Sequence, residues 1–408
     1  MNTLTHSSVE ERFEALKREG LKLNLTRGKP SAEQLELSWP LLRIRDYRSP
    51  SGDDCRNYGP IEGLSEAREL FGGYLGVPAK NVFVQGPESL RLMHDVFLQM
   101  YKRDAPGGIS WERMKSNVRQ PYMLCPVPGY DRHHTICRTY GIGMRPVPMT
   151  ATGPDMDVVE DAVRDPCAVA MWCVPKYDNP TGITYSHETV ERLARMETAN
   201  PGFRLFWDLA YQEHTLEEKA VELPEMLSLC AHLGHLDRPF IFGSTSKVTF
   251  ASSGVAMLAS SDENLAWFRT SLFAQTIGPD RLNQLRHVLF LQSVNGIRSL
   301  MQRHRAILKP KFDEVDEILT RELGGRGLAS WTKPRGGYFV SLYVPGRASE
   351  VVRLAGEMGV ELTPAGAAYP IRDEADAHIR LAPTFAPTPT VGPALERVAV
   401  AIVKASGG

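Results

Sequence analysis

From about residue 55 onward, short apolar runs alternate with helical patterns, and this alternation limits the available folds more than any other feature. The runs read as strands at 81–84, 122–125, 168–174, 204–207, 240–242 and 255–259. Helical patterns lie between several of them, notably at 89–101 and 188–197. A strand that returns through a helix pairs in parallel, and a parallel sheet needs helices on both faces. Two longer helical patterns follow, at 263–276 and 283–317. The tail then changes character. Gly336-Gly337-Tyr338-Phe339-Val340-Ser341-Leu342 reads as a strand that opens a smaller α+β segment running to Lys404. An amphipathic helix is expected over 9–19, followed by the loop Leu25-Thr26-Arg27-Gly28-Lys29-Pro30-Ser31. A chain of 408 residues exceeds one ordinary core,. The expected class is therefore α/β. A large domain (51–300) would hold a mostly parallel sheet of the seven-stranded type flanked by helices. Residues 1–50 and 301–408 would form a small α+β domain from both termini.

Charge and cysteine use narrow the function. A formal net charge of −1, with no recurring basic stripe, argues against nucleic acid or an anionic membrane as the main partner,. The start Met1-Asn2-Thr3-Leu4-Thr5-His6 is polar and lacks an apolar h-region, so no signal peptide is expected,. No apolar run reaches the roughly 18 residues a membrane span requires. Cysteines 55, 125, 137, 167, 173 and 230 form no C-x-x-C pair and no metal-ligand spacing,. Cys125 and Cys173 fall inside apolar runs, as reduced core thiols do. A reducing, cytoplasmic setting fits these features.

The chemistry concentrates after the strands. Gly243-Ser244-Thr245-Ser246-Lys247 places one lysine in a hydroxyl-rich turn between the apolar runs 239–242 and 254–259. An amine held at the end of a core strand is desolvated, which disfavours its charged form and makes it a usable nucleophile. Schiff-base chemistry with pyridoxal 5'-phosphate needs such an amine. Ligands of open parallel sheets bind at the carboxyl ends of the strands. Two other polar sets fall there: Asp178-Asn179-Pro180-Thr181-Gly182 after 168–174, and Asp208-Leu209-Ala210-Tyr211 after 204–207. A buried carboxylate such as Asp208 keeps a pyridine nitrogen protonated, and Asn179 and Tyr211 could donate to the ring's phenolic oxygen. Each has a plainer reading alone. Asn179 to Gly182 is also a turn sequence, and Asp208 could cap a following helix. Together, in this order, they are hard to attribute to chance.

With these residues in place, the chain resembles a fold-type I PLP-dependent enzyme of the aspartate aminotransferase superfamily, the class I/II aminotransferases. Within it, the chain is similar to a bacterial subgroup with an S/T-R-G-K-P-S loop, here Thr26 to Ser31, and the segment Cys125-Pro126-Val127-Pro128-Gly129-Tyr130-Asp131-Arg132-His133. The resemblance spans Leu25 to about Ala386. It implies that Lys247 carries the cofactor and shuttles protons, that Asp208 pairs with the pyridinium, and that Asn179 and Tyr211 bond the phenolic oxygen. Tyr130 matches the aromatic stacked on the ring. Arg380, in His378-Ile379-Arg380-Leu381, matches the arginine that grips the substrate α-carboxylate through its planar fork,. Gly28 corresponds to the glycine whose backbone closes over substrate, and Arg27 and Lys29 beside it could meet a second carboxylate. Ser89, Ser244 and Ser246 fall where the phosphate is held. Tyr58 resembles the tyrosine that reaches the cofactor of a neighbouring subunit, which implies a homodimer with shared active sites. The implied activity moves an amino group between an L-amino acid and a 2-oxo acid, with no metal.

Two departures from the family pattern stand out. The phosphate segment reads Gln85-Gly86-Pro87-Glu88-Ser89-Leu90, which puts a carboxylate near a phosphate and removes one N–H donor,. Glu88 either points away as an N-terminal helix charge or meets a cationic substrate. Second, Val248 to Gly254 contains no arginine to clamp the phosphate, so Ser244, Ser246 or Ser252 must do more. These departures leave open elimination or replacement, cyclisation or oxidation on the same cofactor. A regulator's effector-binding module would need a DNA-binding domain, which neither the short N-terminus nor the charge provides. His133 and His134 adjoin Tyr130 and read as structural or rim residues. Gly141-Ile142-Gly143 lacks the third glycine and acidic residue of a dinucleotide site,.

Overall fold

The computed structural model describes residues 6–117 and 119–407, so the polar segment Met1 to Thr5 lies outside the described residues. Its central sheet is built from β1 (Val82–Gln85), β2 (Tyr122–Val127), β3 (Gly143–Thr150), β4 (Gly153–Pro154), β5 (Ala168–Cys173), β6 (Arg204–Asp208), β7 (Pro239–Ser244) and β8 (Ala256–Ala259). Each of the six strands expected between residues 81 and 259 forms within two residues of its expected ends. The sequence reading missed β3, whose polar and proline-interrupted Met144-Arg145-Pro146-Val147-Pro148 carries little strand signal,. It tolerates prolines because it lies near the sheet edge, flanked outside only by the two-residue β4.

The spatial order is β1-β8-β7-β6-β5-β2-β3-β4. Neighbours from β3 through β2, β5 and β6 to β7 pair in parallel. β8 runs antiparallel to both β7 and β1, and β4 antiparallel to β3. From β2 the chain runs outward to β3 and then returns to β5 on β2's other flank. The carboxyl ends of β2 and β5 therefore flank a topological switch point, where such sheets bind ligands.

The inner strands are buried on both faces, and the two-residue period sorts their side chains. Leu205 and Trp207 of β6 pack with Ile241, Met171 and Met257 in one cluster. Phe206 packs on the opposite face with Phe240, Phe242, Trp172 and Leu258,. A third cluster joins N-terminal Phe13 and Leu25 to Phe312, Leu342, Ile379 and Leu395. A three-stranded antiparallel sheet belongs to it, ordered Ser330–Trp331, Val340–Tyr343, His378–Leu381. The strand expected at 336–342 thus begins later, at Val340. Gly336 and Gly337 instead pass against Tyr177, where a Cβ on either would come within 2.9 Å of it.

The helix expected at 283–317 is two helices, Arg281–Leu291 and Val294–Leu323. Gln292 breaks them with φ 62° and ψ −42°. The Ser293 N–H donates to Leu291 O at 2.7 Å across it, a strained γ-turn,. Ser293 then caps the second helix by accepting from the Gly296 N–H at 3.1 Å,. That helix places Ile297, Leu300 and Met301 in the first cluster and Leu308, Phe312 and Val315 in the third, so it crosses between them. Among the described residues, no helix is long and apolar enough to cross a membrane.

Candidate active site

A cavity of about 400 Å³ opens at the carboxyl ends of the parallel strands. Eleven of the twelve residues singled out by sequence line it: Arg27, Gly28, Ser89, Tyr130, Asn179, Asp208, Tyr211, Ser244, Ser246, Lys247 and Arg380. Asp208 ends β6 and Ser244 ends β7, while Tyr130 and Asn179 follow β2 and β5. Arg380 enters from the strand His378–Leu381. The twelfth, Tyr58, does not line the cavity. It is 78% exposed, on a loop gripped by Arg281, whose Nη1 donates to Tyr58 O at 3.3 Å and whose Nη2 meets Asp53 at 2.6 Å.

Lys247 Nζ lies 4.8 Å from the centre of the Tyr211 ring. Burial lowers the ammonium pKa below its ordinary value, with the Asp208 charge opposing,. Asp208 is buried, and its Oδ1 accepts the Ala210 N–H at 3.0 Å. It therefore caps a turn, with no helix behind it. Its Oδ2 faces His133 Nε2 at 3.7 Å. His133 is stacked on Trp172 at 4.2 Å and set edge-on to Tyr130 at 5.0 Å. His133 and His134 are both buried, so neither is a rim residue. Burial pushes His134 down to about 3 and Tyr130 up to about 12.

Asp178, part of the polar set expected after 168–174, has a role that the sequence does not signal. It is buried, and burial raises its carboxyl to about 7. Its Oδ2 accepts from the Thr181 N–H at 3.2 Å and the Thr181 hydroxyl at 2.7 Å, which pins the turn carrying Asn179. The Asn-Pro-Thr-Gly segment is thus both a turn and a wall of the cavity.

The Arg380 guanidinium lies 5.0 Å from the Phe339 ring centre. Its contacts are long: 3.4 Å to Asp131 Oδ1, 3.5 Å to Asn179 Oδ1 and 3.4 Å to Thr363 Oγ1. Its Nε is buried without a partner, which leaves donors free for an anion,. Gly28 also lines the cavity against Phe339, where a Cβ would overlap the ring. Glu88 takes the N-cap position of the helix Ser89–Lys102 without a side-chain capping bond, and it lines the cavity. Ser246 Oγ donates to Pro87 O at 2.9 Å, tying the lysine turn to this helix start. Ser252 does not line the cavity, whereas Ala251 does.

The turn holding Lys247 is fixed from below by residues the sequence reading passed over. His214 Nε2 lies 3.1 Å from Lys247 O, and the Tyr338 hydroxyl donates to the same oxygen at 3.5 Å. His304 Nε2 lies 3.0 Å from Val248 O. Gln34 Nε2 donates to His304 Nδ1 at 2.9 Å and to the Tyr338 hydroxyl at 3.0 Å. Because Nδ1 of His304 accepts, its Nε2 carries the proton and donates. Burial holds His214 near 3 and His304 near 4, so both rings stay neutral. The only sequence signal is the Ser31-x-x-Gln34 capping box that fixes Gln34 on its helix,.

The sequence pattern of the aspartate amino-transferase family matches residues 2–407. The chain belongs to that family. A relative from Mycolicibacterium smegmatis is 45% identical over 411 residues, covering 98% of this chain and 95% of its own. An aspartate aminotransferase of Corynebacterium glutamicum is 41% identical over 408 residues, covering 99% and 94%. The crystal structure of an aspartate transaminase from C. glutamicum matches with a TM-score of 0.95 at 40% identity, covering 98% of this chain and 95% of that one. An alpha-aminoadipate aminotransferase from Thermus thermophilus, solved with N-(5'-phosphopyridoxyl)-L-leucine, shares the fold with a TM-score of 0.76 at 21% identity, covering 98% and 97%. The protein is thus an aminotransferase, a transferase of amino groups. This answers the choice among reaction classes that the phosphate-segment departures had left open.

The depressed pKa of Lys247 has a thermodynamic consequence in the cofactor-free protein. The unfolded chain binds a proton on this amine up to about pH 10.5, while the folded chain releases it at lower pH. The native state is therefore penalised at pH 7, and the penalty disappears as pH approaches 10.5. Lys247→Met should resist denaturant better than wild type at pH 7, with the gap closing by about pH 10. Urea unfolding at both pH values reads this, and a gap that stays constant contradicts it.

Proposed function

We propose that this aminotransferase uses pyridoxal 5'-phosphate bound in the 400 Å³ cavity, with the buried Lys247 amine as the observation that carries the reading. The residues present fit that molecule. Asp208 is a buried carboxylate that faces His133 Nε2 at 3.7 Å and, among the described residues, has no lysine or arginine paired with it. Lys247 is an amine whose charged form is disfavoured. The helix Ser89–Lys102 starts without a side-chain cap beside the Ser244 and Ser246 hydroxyls. A helix start with free N–H groups is suited to phosphate. When bound, this cofactor condenses with primary amines and stabilises negative charge on the carbon that loses a proton.

The chain's own residues would act around it. Asp208 holds a proton on the ring nitrogen, and His133 orients the carboxylate from behind. Asn179 and Tyr211 hydrogen-bond the phenolic oxygen, while Tyr130 covers one ring face. Ser89, Ser244 and Ser246 hold the phosphate. Lys247 accepts the proton from the substrate Cα and returns it on the cofactor side, because a buried amine whose charged form is disfavoured can serve as both base and acid,. Arg380 holds the α-carboxylate and Gly28 lets the backbone close over it.

The substrate pair would be an L-amino acid and a 2-oxo acid, with a dicarboxylic amino acid such as aspartate favoured. Arg27, Lys29 and Arg132 line the same cavity as Arg380 and could meet a second carboxylate. The name of the C. glutamicum relative agrees with this choice. A cytoplasmic homodimer is the proposed setting. Tyr58 is an exposed aromatic on a braced loop, as a residue reaching a partner's site would be.

Borohydride reduction of the protein loaded with pyridoxal phosphate should add the pyridoxyl mass to the peptide containing Lys247. Labelling of another lysine, or of none, rules the reading out. In amino-donor assays, Arg27→Ala should lower kcat/KM for L-aspartate by about tenfold while L-alanine changes by less than about twofold. Equal losses for the two donors would remove Arg27 from substrate recognition. Mixing inactive Lys247→Ala with inactive Tyr58→Ala subunits should restore activity, since one site of the heterodimer is then intact. No recovery after verified subunit exchange would confine Tyr58 to its own chain.

A further inference from the structure

A second cavity, of about 430 Å³, lies apart from the catalytic one, beside the first hydrophobic cluster. Its volume falls in the roughly 300–1,000 Å³ range of small-molecule sites. Three buried polar groups on its wall lack partners among the described residues. Lys176 is only 4% exposed, yet its ammonium makes no hydrogen bond and no ion pair, and burial lowers its pKa. The Tyr74 hydroxyl and Gln212 Oε1 are buried and unbonded. Glu213, 7% exposed, adds a carboxylate bonded on one side only, by Arg298 Nε at 3.3 Å. Buried polar groups are seldom left unpaired, and the Glu213 carboxylate, whose charge acts on both Lys176 and Tyr74, answers only part of this set, so the wall calls for a ligand carrying both signs of charge,. Trp207 and Met301 supply an apolar wall.

We propose that this cavity binds a free α-amino acid with an apolar side chain. Lys176 Nζ and the Tyr74 hydroxyl take its carboxylate, Gln212 Oε1 and Glu213 take its ammonium, and the side chain packs on Trp207 and Met301. The site does not depend on the cofactor assignment, but it is joined to the catalytic cavity through the chain. Lys176 precedes Asn179 by three residues on the same loop, and Gln212 directly follows Tyr211. Between Lys176 and Asn179, Tyr177 holds a positive φ of 54°, a strained backbone that persists only when its surroundings enforce it,. A ligand on Lys176 and Gln212 would therefore contact both segments that carry catalytic side chains.

The test is calorimetric titration of the cofactor-loaded Arg380→Ala protein, in which amino acid binding at the catalytic site is suppressed. The probes are L-leucine, 4-methylpentanoate, which lacks the ammonium, and 3-methylbutylamine, which lacks the carboxylate. L-Leucine should bind with Kd below about 1 mM, and each truncated probe at least about tenfold more weakly. Adding Lys176→Met or Tyr74→Phe should each weaken L-leucine by about tenfold. Tyr74→Phe removes a single hydroxyl, so it decides the matter if Lys176→Met fails to fold. Absence of L-leucine binding, or binding unchanged in Tyr74→Phe, overturns the proposal. Binding that vanishes in Arg380→Ala but persists in Lys176→Met assigns the amino acid to the catalytic site alone and overturns it too.

Discussion

The site depends on the hydrogen bonds that hold the backbone carbonyls of Lys247 and Val248. A lysine side chain has four rotatable carbons, so its amine is placed only as well as its Cα is fixed. His214 and Tyr338 grip one carbonyl, and His304 grips the next. Such bonds contribute about 0.5–1.5 kcal/mol each, so three of them offset the ordering of two or three backbone residues at roughly 1–2 kcal/mol apiece. The grip works because the rings are neutral. A protonated His304 could not accept from Gln34 and would lose the bond that sets its tautomer. Burial, by pushing both histidines far below neutrality, keeps the lysine turn insensitive to pH in the working range.

This network also spans the molecule. Gln34 belongs to the N-terminal part, His304 to the long helix, Tyr338 to the third hydrophobic cluster and His214 to the loop after β6. The lysine itself follows β7 of the central sheet. The site therefore forms only when the N-terminal and C-terminal parts of the chain pack on the sheet. Phe339 extends the same logic to the Arg380 wall of the cavity. It lies under Arg380, meets Gly28 and sits edge-on to Tyr211 at 6.4 Å, so one ring sets the spacing between three cavity walls.

Much of this was legible in the sequence, and the reason is physical. Strands β5, β6 and β7 are buried on both faces, so they appear as continuous apolar runs whose ends are easy to place. Polar residues immediately after such runs must lie at the sheet's edge, which located Asn179, Asp208 and Lys247. What was not legible depends on distant partners. Nothing local to His304 says that it faces Val248, and nothing near Gln292 signals a γ-turn inside an otherwise good helix pattern. β3 was hidden because its two prolines suppress the strand signal, while its position near the sheet edge accommodates them. His133 was read as structural because a histidine beside a cleft has many possible neighbours, and only the tertiary fold brings Asp208 to it.

Asn179 shows how the separate parts of the cavity are coupled. Its Oδ1 accepts from Arg380 Nη1, so its amide group has a fixed sense and Nδ2 must point away from the guanidinium,. The same amide thus turns an acceptor toward Arg380 and a pair of donors toward the other side of the cavity. Asp178, one residue earlier, is held by Thr181, and burial raises its carboxyl to about 7, so only part of it is charged beside Asp208 near neutral pH. The Asp208 carboxylate faces His133, whose position is set by stacking on Trp172. Asp208 and Arg380 are thus each held beside a side chain, His133 or Asn179, whose own position is set elsewhere, by Trp172 and by the Asp178–Thr181 turn. Such an arrangement holds charges in place without neutralising them, leaving them available to a ligand.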